Sequence, residues 1–322
     1  VFISLARRAD RRAQLARTLA AGNAALMAKL ERIDAVDGRR IDLADAELCR
    51  YVSPGALERA REAKRSSAFT IVHQEGQLVK FHNHLTEGGI ACAMSHRAAV
   101  KHVATHPTAE WGLILEDDIA CLVPRVDEVI SRVLRRLPSD WDALFLGYHG
   151  GALAGTGGGG KDTFEEELKA RWELSRDASR GWSGGFEGSV DGDTYCAEGL
   201  YDPPVLRMFA PLYGLYAWAV SKGAAQAVLS EGAFPVAGQV DHALSQWLQQ
   251  RGRSFKVAPR HLLFFSPKSE DGLDSDIQTM ARLEELLRDE EACGRYLDFL
   301  EADTRASEDH VLGDVGLERL PR

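Results

Sequence analysis

Short apolar runs alternate with helix-period stretches through roughly the first 150 residues, the pattern of βαβ units built around a mostly parallel sheet. Val1–Leu5 reads as the first strand. The stretch from Asp10 to about Lys29 reads as a helix that keeps Leu15, Leu19, Leu26 and Leu30 on or near one face. Ile33-Asp34-Ala35-Val36-Asp37-Gly38 leads into a turn. A second helix is expected from Ile90 to about His102, opened by Gly88-Gly89, and the apolar runs Trp111–Leu115 and Trp141–Gly147 read as further strands.

The period is lost between Tyr148 and Phe209, which contains the glycine run Gly157–Gly160, and this segment is expected to be a long inserted loop region. Regular structure returns with a strand at Tyr213–Val220, after which Ser221 is placed to cap a helix running to about Leu229. A further helix is predicted from Asp241 to about Gln249, with short strands at Phe255–Ala258 and His261–Phe265. Beyond Thr279, Leu283, Leu286 and Leu287 mark a charged amphipathic helix ahead of a polar tail. The expected organisation is therefore one α/β domain over residues 1–280, with a Gly-rich insertion at 148–209, followed by a helix and tail at 281–322.

Composition narrows the class. Of 322 residues, 45% are hydrophobic and 27% charged, which excludes a disordered, collagen-like or membrane-embedded chain. The net charge of −9 argues against nucleic acid as a partner, because a phosphate backbone demands a basic surface. No apolar run approaches the roughly 18 residues needed to cross a bilayer, so no transmembrane segment is expected in this chain. Val1 in the place of an initiator methionine suggests a trimmed chain. Cys49, Cys92, Cys121, Cys196 and Cys293 are scattered without a C-x-x-C pair and read as small core residues.

The sharpest chemical feature is Glu116-Asp117-Asp118, three acids set directly behind the apolar run Leu113-Ile114-Leu115. Ligands of an open α/β sheet bind at the carboxyl ends of its strands, which is where this cluster falls. Like charges so close repel unless a cation neutralises them, and hard oxygen donors suit Mg²⁺ or Mn²⁺ beside the phosphates of a substrate. The competing account is a solvated turn whose acids cap the next helix. Arg7, Arg8, Arg11 and Arg12 crowd the first strand–helix junction, where a guanidinium fork can grip phosphate or ribose, or can serve only solvation. Ser95 and His96 lie in a small, apolar helix and read, taken alone, as hydrogen-bonded core. Asp241 opens a late helix, either as its cap or as a general base. His82 and His84 lack a third ligand and read as loop. The nucleotide-binding and hydrolase glycine motifs and the H-E-x-x-H pattern are absent.

Taken in order, these pieces resemble glycosyltransferase family 25. The resemblance lies in Phe2-Ile3-Ser4-Leu5-x-Arg7-Arg8-x-Asp10-Arg11-Arg12, Ile33-Asp34-Ala35-Val36-Asp37-Gly38, Leu85-Thr86-x-Gly88-x-Ile90-x-Cys92-x-x-Ser95-His96, Leu113-Ile114-Leu115-Glu116-Asp117-Asp118 and Trp141-Asp142-x-x-x-Leu146-Gly147. It continues through Ala217-Trp218-Ala219-Val220-Ser221-x-Gly223-Ala224, Val240-Asp241 and Ser275-Asp276-Ile277-Gln278.

What the resemblance implies is a GT-A type, Rossmann-like fold and a UDP-sugar donor, usually UDP-galactose. It also implies Mn²⁺ or Mg²⁺ held by Glu116, Asp117 and Asp118, and inversion at the anomeric carbon. Asp241 is then the base that deprotonates a hydroxyl of a glycan or hydroxylated protein acceptor, while Ser4, Arg8, Asp34, Ser95 and His96 line the nucleotide end. Three positions depart from the family pattern: Ala6 replaces an acid, and Gly89 and Ala91 make Gly88-Gly89-Ile90-Ala91 where Gly-Glu-Ile-Gly is usual. A catalytically degenerate binding protein on the same fold and a metal-dependent phosphohydrolase are the competing classes.

Overall fold

The computed structural model describes residues 1–20, 22–66, 70–74, 77–81, 85–119, 121–149, 201–258 and 262–266. The chain divides into two compact units, the first formed by Val1–Arg61 with His84–Lys268 and the second by Glu62–Asn83 with Ser269–Arg322. In the first unit the chain opens with β1 (Phe2–Ser4), α1 (Ala9–Ala20), α2 (Ala24–Met27) and β2 (Arg32–Asp34). The expected helix from Asp10 to Lys29 is therefore two helices. Gly22, at φ 103°, takes a left-handed conformation that ends α1. The buried Asn23 side chain then bonds to Val123 and Val126 of another segment, so the chain turns there.

α3 (Pro54–Ser66) begins in the first unit and ends in the second, whose described part continues as an antiparallel hairpin of β3 (Thr70–Gln74) and β4 (Gln77–Phe81). The first unit resumes with α4 (Glu87–Thr105), β5 (Trp111–Glu116), β6 (Cys121–Leu122), α5 (Val126–Arg136) and β7 (Ala143–His149). The segment expected to be an inserted loop, 148–209, is not loop to its end, because β8 (Val205–Arg207) lies within it. After it come β9 (Tyr213–Ser221), α6 (Lys222–Ser230), α7 (Val240–Gln250), β10 (Ser254–Val257) and β11 (Phe264–Phe265), and β8 joins the main sheet by antiparallel pairing with β10. The glycine run, the region around Leu283 and the Ser275–Gln278 motif lie outside the described residues.

Among the described residues the main sheet has seven strands in the order β2-β1-β5-β9-β7-β10-β8. β2, β1, β5, β7 and β10 run one way, as the alternating pattern predicts, while β8 and β9 run against them. β9 is antiparallel yet central, buried from Leu215 to Val220, with Trp218 stacked on Phe145 of β7 at 6.0 Å between ring centroids. α4 packs across β1, β2, β5 and β9, which requires close approach. At Gly112 of β5 an added Cβ would stand 2.3 Å from Val103 of α4. At Gly38, behind β2, it would stand 2.7 Å from the backbone of Gly88. Two helix starts follow local rules: Thr86 accepts the Gly89 N–H at 3.0 Å and Ser221, as expected, accepts that of Ala224 at 3.1 Å.

Cys49 departs from the expected core role. It is exposed, because it sits in a 3₁₀ turn over Ala46–Arg50 that buries only Leu48. Cys92 is half-buried on α4.

Candidate active site

β1 and β5 are parallel neighbours with Ile3 opposite Glu116, so Ser4 and the three acids meet at the carboxyl edge of the sheet. Asp117, in the turn after β5, is buried. It takes the Ser4 hydroxyl and lies 3.5 Å from Arg11, and burial pushes its carboxyl upward against those two partners. Asp118 is crowded further. Burial, with Glu116 and Asp117 beside it, pushes its carboxyl up to about 7, against the pull of Arg11 and the Ser266 hydroxyl. Its Oδ1 is closed off from solvent and has no hydrogen-bond partner among the described residues.

α4 brings three of its side chains to the same edge. The Ser95 hydroxyl accepts the Val36 N–H at 2.9 Å and donates to the Ala91 carbonyl at 2.7 Å, clamping the segment behind β2 onto the helix. His96, 1% exposed, sets Nε2 2.9 Å from Oε1 of Glu116, while its Nδ1 has no described partner. Both residues fill the buried, hydrogen-bonded role the small apolar helix predicts, and His96 does so against an acid of the site. Cys92, one turn before His96, completes a group in which sulfur, ring nitrogen and carboxylate oxygen all lie within 4.8 Å of one another. Burial raises the Cys92 thiol well above its usual range, helped by the charges of Glu116, Asp241 and Asp118.

Asp241 lies in the first turn of α7, whose N-cap is Gln239. Its Oδ2 accepts the Gly214 N–H of β9 at 2.8 Å and its Oδ1 the His242 N–H at 2.7 Å, so backbone donors hold both oxygens. The Tyr213 and His242 rings lie 5.6 Å apart beside it.

The four arginines separate by role. Arg7 pairs with Asp37 at 3.2 Å and Arg8 with Asp10 at 2.8 Å. Arg12 donates to Ser4 Oγ and to the carbonyls of Leu5 and Ala6, closing the end of β1. Arg11 pairs with Asp117 of the acid cluster. Asp34, exposed at the end of β2, pairs with Arg32. Where the family carries an acid, Gly89 has the Gln239 amide before it, 3.0 Å from an added Cβ.

Sequence reasoning passed over three of these residues as site members, and one pairing. Cys92 had a readable signal, since it precedes His96 by four residues on a helix and so shares its face. Ser266, Gln239 and the pairing of Arg11 with Asp117 reach the site only through the fold.

A hard divalent cation fits this donor set. An orphaned buried oxygen on Asp118, crowded by Glu116 and Asp117, has the excess negative charge that a dication neutralises.

The sheet, its carboxyl-edge acids and the flanking helices define an α/β domain of Rossmann-like character. Residues 1–143 match the model of glycosyltransferase family 25 (LPS biosynthesis protein), the family the motifs resemble, and glycosyl transfer is the activity class of that family. The matched span contains Ser4, Arg8, Asp34, Ser95, His96 and the three acids; Asp241 lies beyond it. No curated protein matches the chain. No described helix is long and apolar enough to cross a membrane.

Proposed function

We propose that this glycosyltransferase moves a sugar, galactose in the first instance, from a UDP-sugar to a hydroxyl of a glycan or hydroxylated protein, with inversion. The observation that carries the reading is the buried Oδ1 of Asp118, without a partner among the described residues, beside two further carboxylates at the carboxyl ends of parallel strands. Asp118 and Glu116 would hold Mn²⁺ or Mg²⁺, with Asp117 braced behind them by Ser4 and Arg11. Such a cation supplies charge neutralisation for the departing diphosphate.

Asp241 takes the proton of the acceptor hydroxyl, whose oxygen attacks the anomeric carbon as the bond to the UDP oxygen breaks. Two backbone N–H donors fix its carboxylate, which supports a positioned base over a freely rotating one. Ser4, Arg8 and Asp34 line the nucleotide end, Ser95 sets the backbone of Val36 there, and His96 orients Glu116. The catalytic domain of this reading is residues 1–280, with 281–322 as an appended helix and tail.

The test is UDP release from a panel of UDP-sugars, with and without Mn²⁺, by the intact chain and by Asp118→Ala. Mn²⁺-dependent release from one donor, lost in the variant, is expected. Unchanged metal-dependent release by Asp118→Ala overturns the metal assignment, and phosphate release from simple esters overturns the transfer.

A further inference from the structure

We propose that Cys92, His96 and Glu116 form a second cation site, selective for thiophilic divalent ions of the Zn²⁺ type and distinct from the hard-cation site at Asp118. The set combines a thiol, an imidazole and a carboxylate, which is the donor chemistry of zinc and a poor match to Mg²⁺ or Mn²⁺. Its donor atoms already lie within 4.8 Å of one another. Zinc ligands at about 2.0–2.3 Å from the ion are roughly 3.3–3.8 Å apart, so side-chain rotations that part the 2.9 Å His96–Glu116 pair to admit the ion set the site.

Two further features suit an ion. His96 is 1% exposed with Nε2 2.9 Å from the Glu116 oxygen, and Nδ1 has no partner among the described residues that a turn of the ring would have to break. Cys92 is free of disulfide and half-buried, and the Glu116 side chain is 25% exposed, which leaves an entry path for the ion. Cys92 and His96 share one helix face, so the helix itself preorganises two of the three ligands.

Binding releases the thiol proton to solvent and leaves a coordination position for water. Three protein ligands make the site exchangeable, unlike the closed four-ligand sets of structural zinc. Because Glu116 is common to both sites, zinc and a hard cation compete for it. That competition rests on the glycosyltransferase reading; zinc binding itself does not.

The probe is Co²⁺ added to the full metal-free chain, read as the near-ultraviolet thiolate-to-cobalt charge-transfer band and its displacement by Zn²⁺. The band is expected in the native chain and in Asp118→Ala, and is expected to be lost in Cys92→Ser. A second reading needs no variant: Zn²⁺ should slow N-ethylmaleimide labelling of Cys92 several-fold at mildly alkaline pH, by peptide mass spectrometry, while exposed Cys49 labels equally. Absence of the band in the native chain, its survival in Cys92→Ser, or equal labelling of Cys92 with and without Zn²⁺ overturns the site. None of these readouts uses turnover, so their failure is separate from failure of the glycosyltransferase reading.

Discussion

Asp241 of α7 accepts the backbone N–H of Gly214 at 2.8 Å, and so ties the start of a late helix to the first residues of the central strand β9. Gly214 has φ 71°, a conformation open to glycine at little cost, so the donor is presented by backbone that other residues adopt with strain. One side chain therefore has a structural and a proposed catalytic task, and substitutions separate them. Asp241→Asn keeps an acceptor oxygen for Gly214 but sets an amide NH2 against the His242 N–H and loses basicity: it should lose less stability than Asp241→Ala and lose about 10²–10⁴-fold in transfer rate. Asp241→Ala should lose the same rate and also about 1–3 kcal/mol of stability, because two backbone donors lose their partner. Thermal melts alongside donor turnover distinguish the two, and a wild-type rate in Asp241→Asn removes Asp241 as the base.

Asp118 carries a stability cost in the metal-free protein. Its carboxyl sits at about 7 when folded against an ordinary 3.8, so between those values the folded chain binds more protons than the unfolded one. Stability should fall as pH rises through that window, and the full penalty is present above it. Asp118→Asn should flatten this slope and raise the melting temperature at pH 8 in EDTA by about 2–4 °C for each kcal/mol relieved. Mn²⁺ should raise the native melting temperature and leave that of the variant in place. A variant less stable than the native chain at pH 8 contradicts the crowding.

Two glycines predict different outcomes for the same substitution. Gly112→Ala drives a methyl against the Val103 side chain and should cost about 1–3 kcal/mol, most of it recovered by adding Val103→Ala. Gly38→Ala meets the backbone of Gly88, which no side-chain truncation removes, so its cost should persist in the Val103→Ala background. Denaturant midpoints of the four variants decide the matter.

Asp142, 3% exposed, is held by Arg251 at 2.9 Å and Arg253 at 3.0 Å. Removing it as Asp142→Ala strips the shared partner from two partly exposed guanidinium groups, of which Arg251 keeps Glu231, and should cost about 1–3 kcal/mol. Urea unfolding measures it; a loss under about 1 kcal/mol would assign the pair to solvent-screened surface chemistry.

The sequence by itself determined the elements whose burial is written in local period. β1, β5 and β9 fall where apolar runs predicted them, α4 where small and apolar residues recur, and the acids fall behind β5. The Ser221 cap is equally local, since a hydroxyl three residues ahead of an amide needs no distant partner. Much of what makes the edge of the sheet a site was decided by tertiary structure. The central antiparallel place of β9, the break after α1, and the meeting of His96 with Glu116, of Arg11 with Asp117 and of Asp241 with Gly214 all join residues from separate elements. Such pairings are set by how whole faces pack, and a one-dimensional pattern states which face is apolar without stating which face it meets. Asp142 illustrates the limit: its acid character is plain in the chain, yet its arginine partners lie 109 and 111 residues away. Only the parallel pairing of β7 with β10 brings them together.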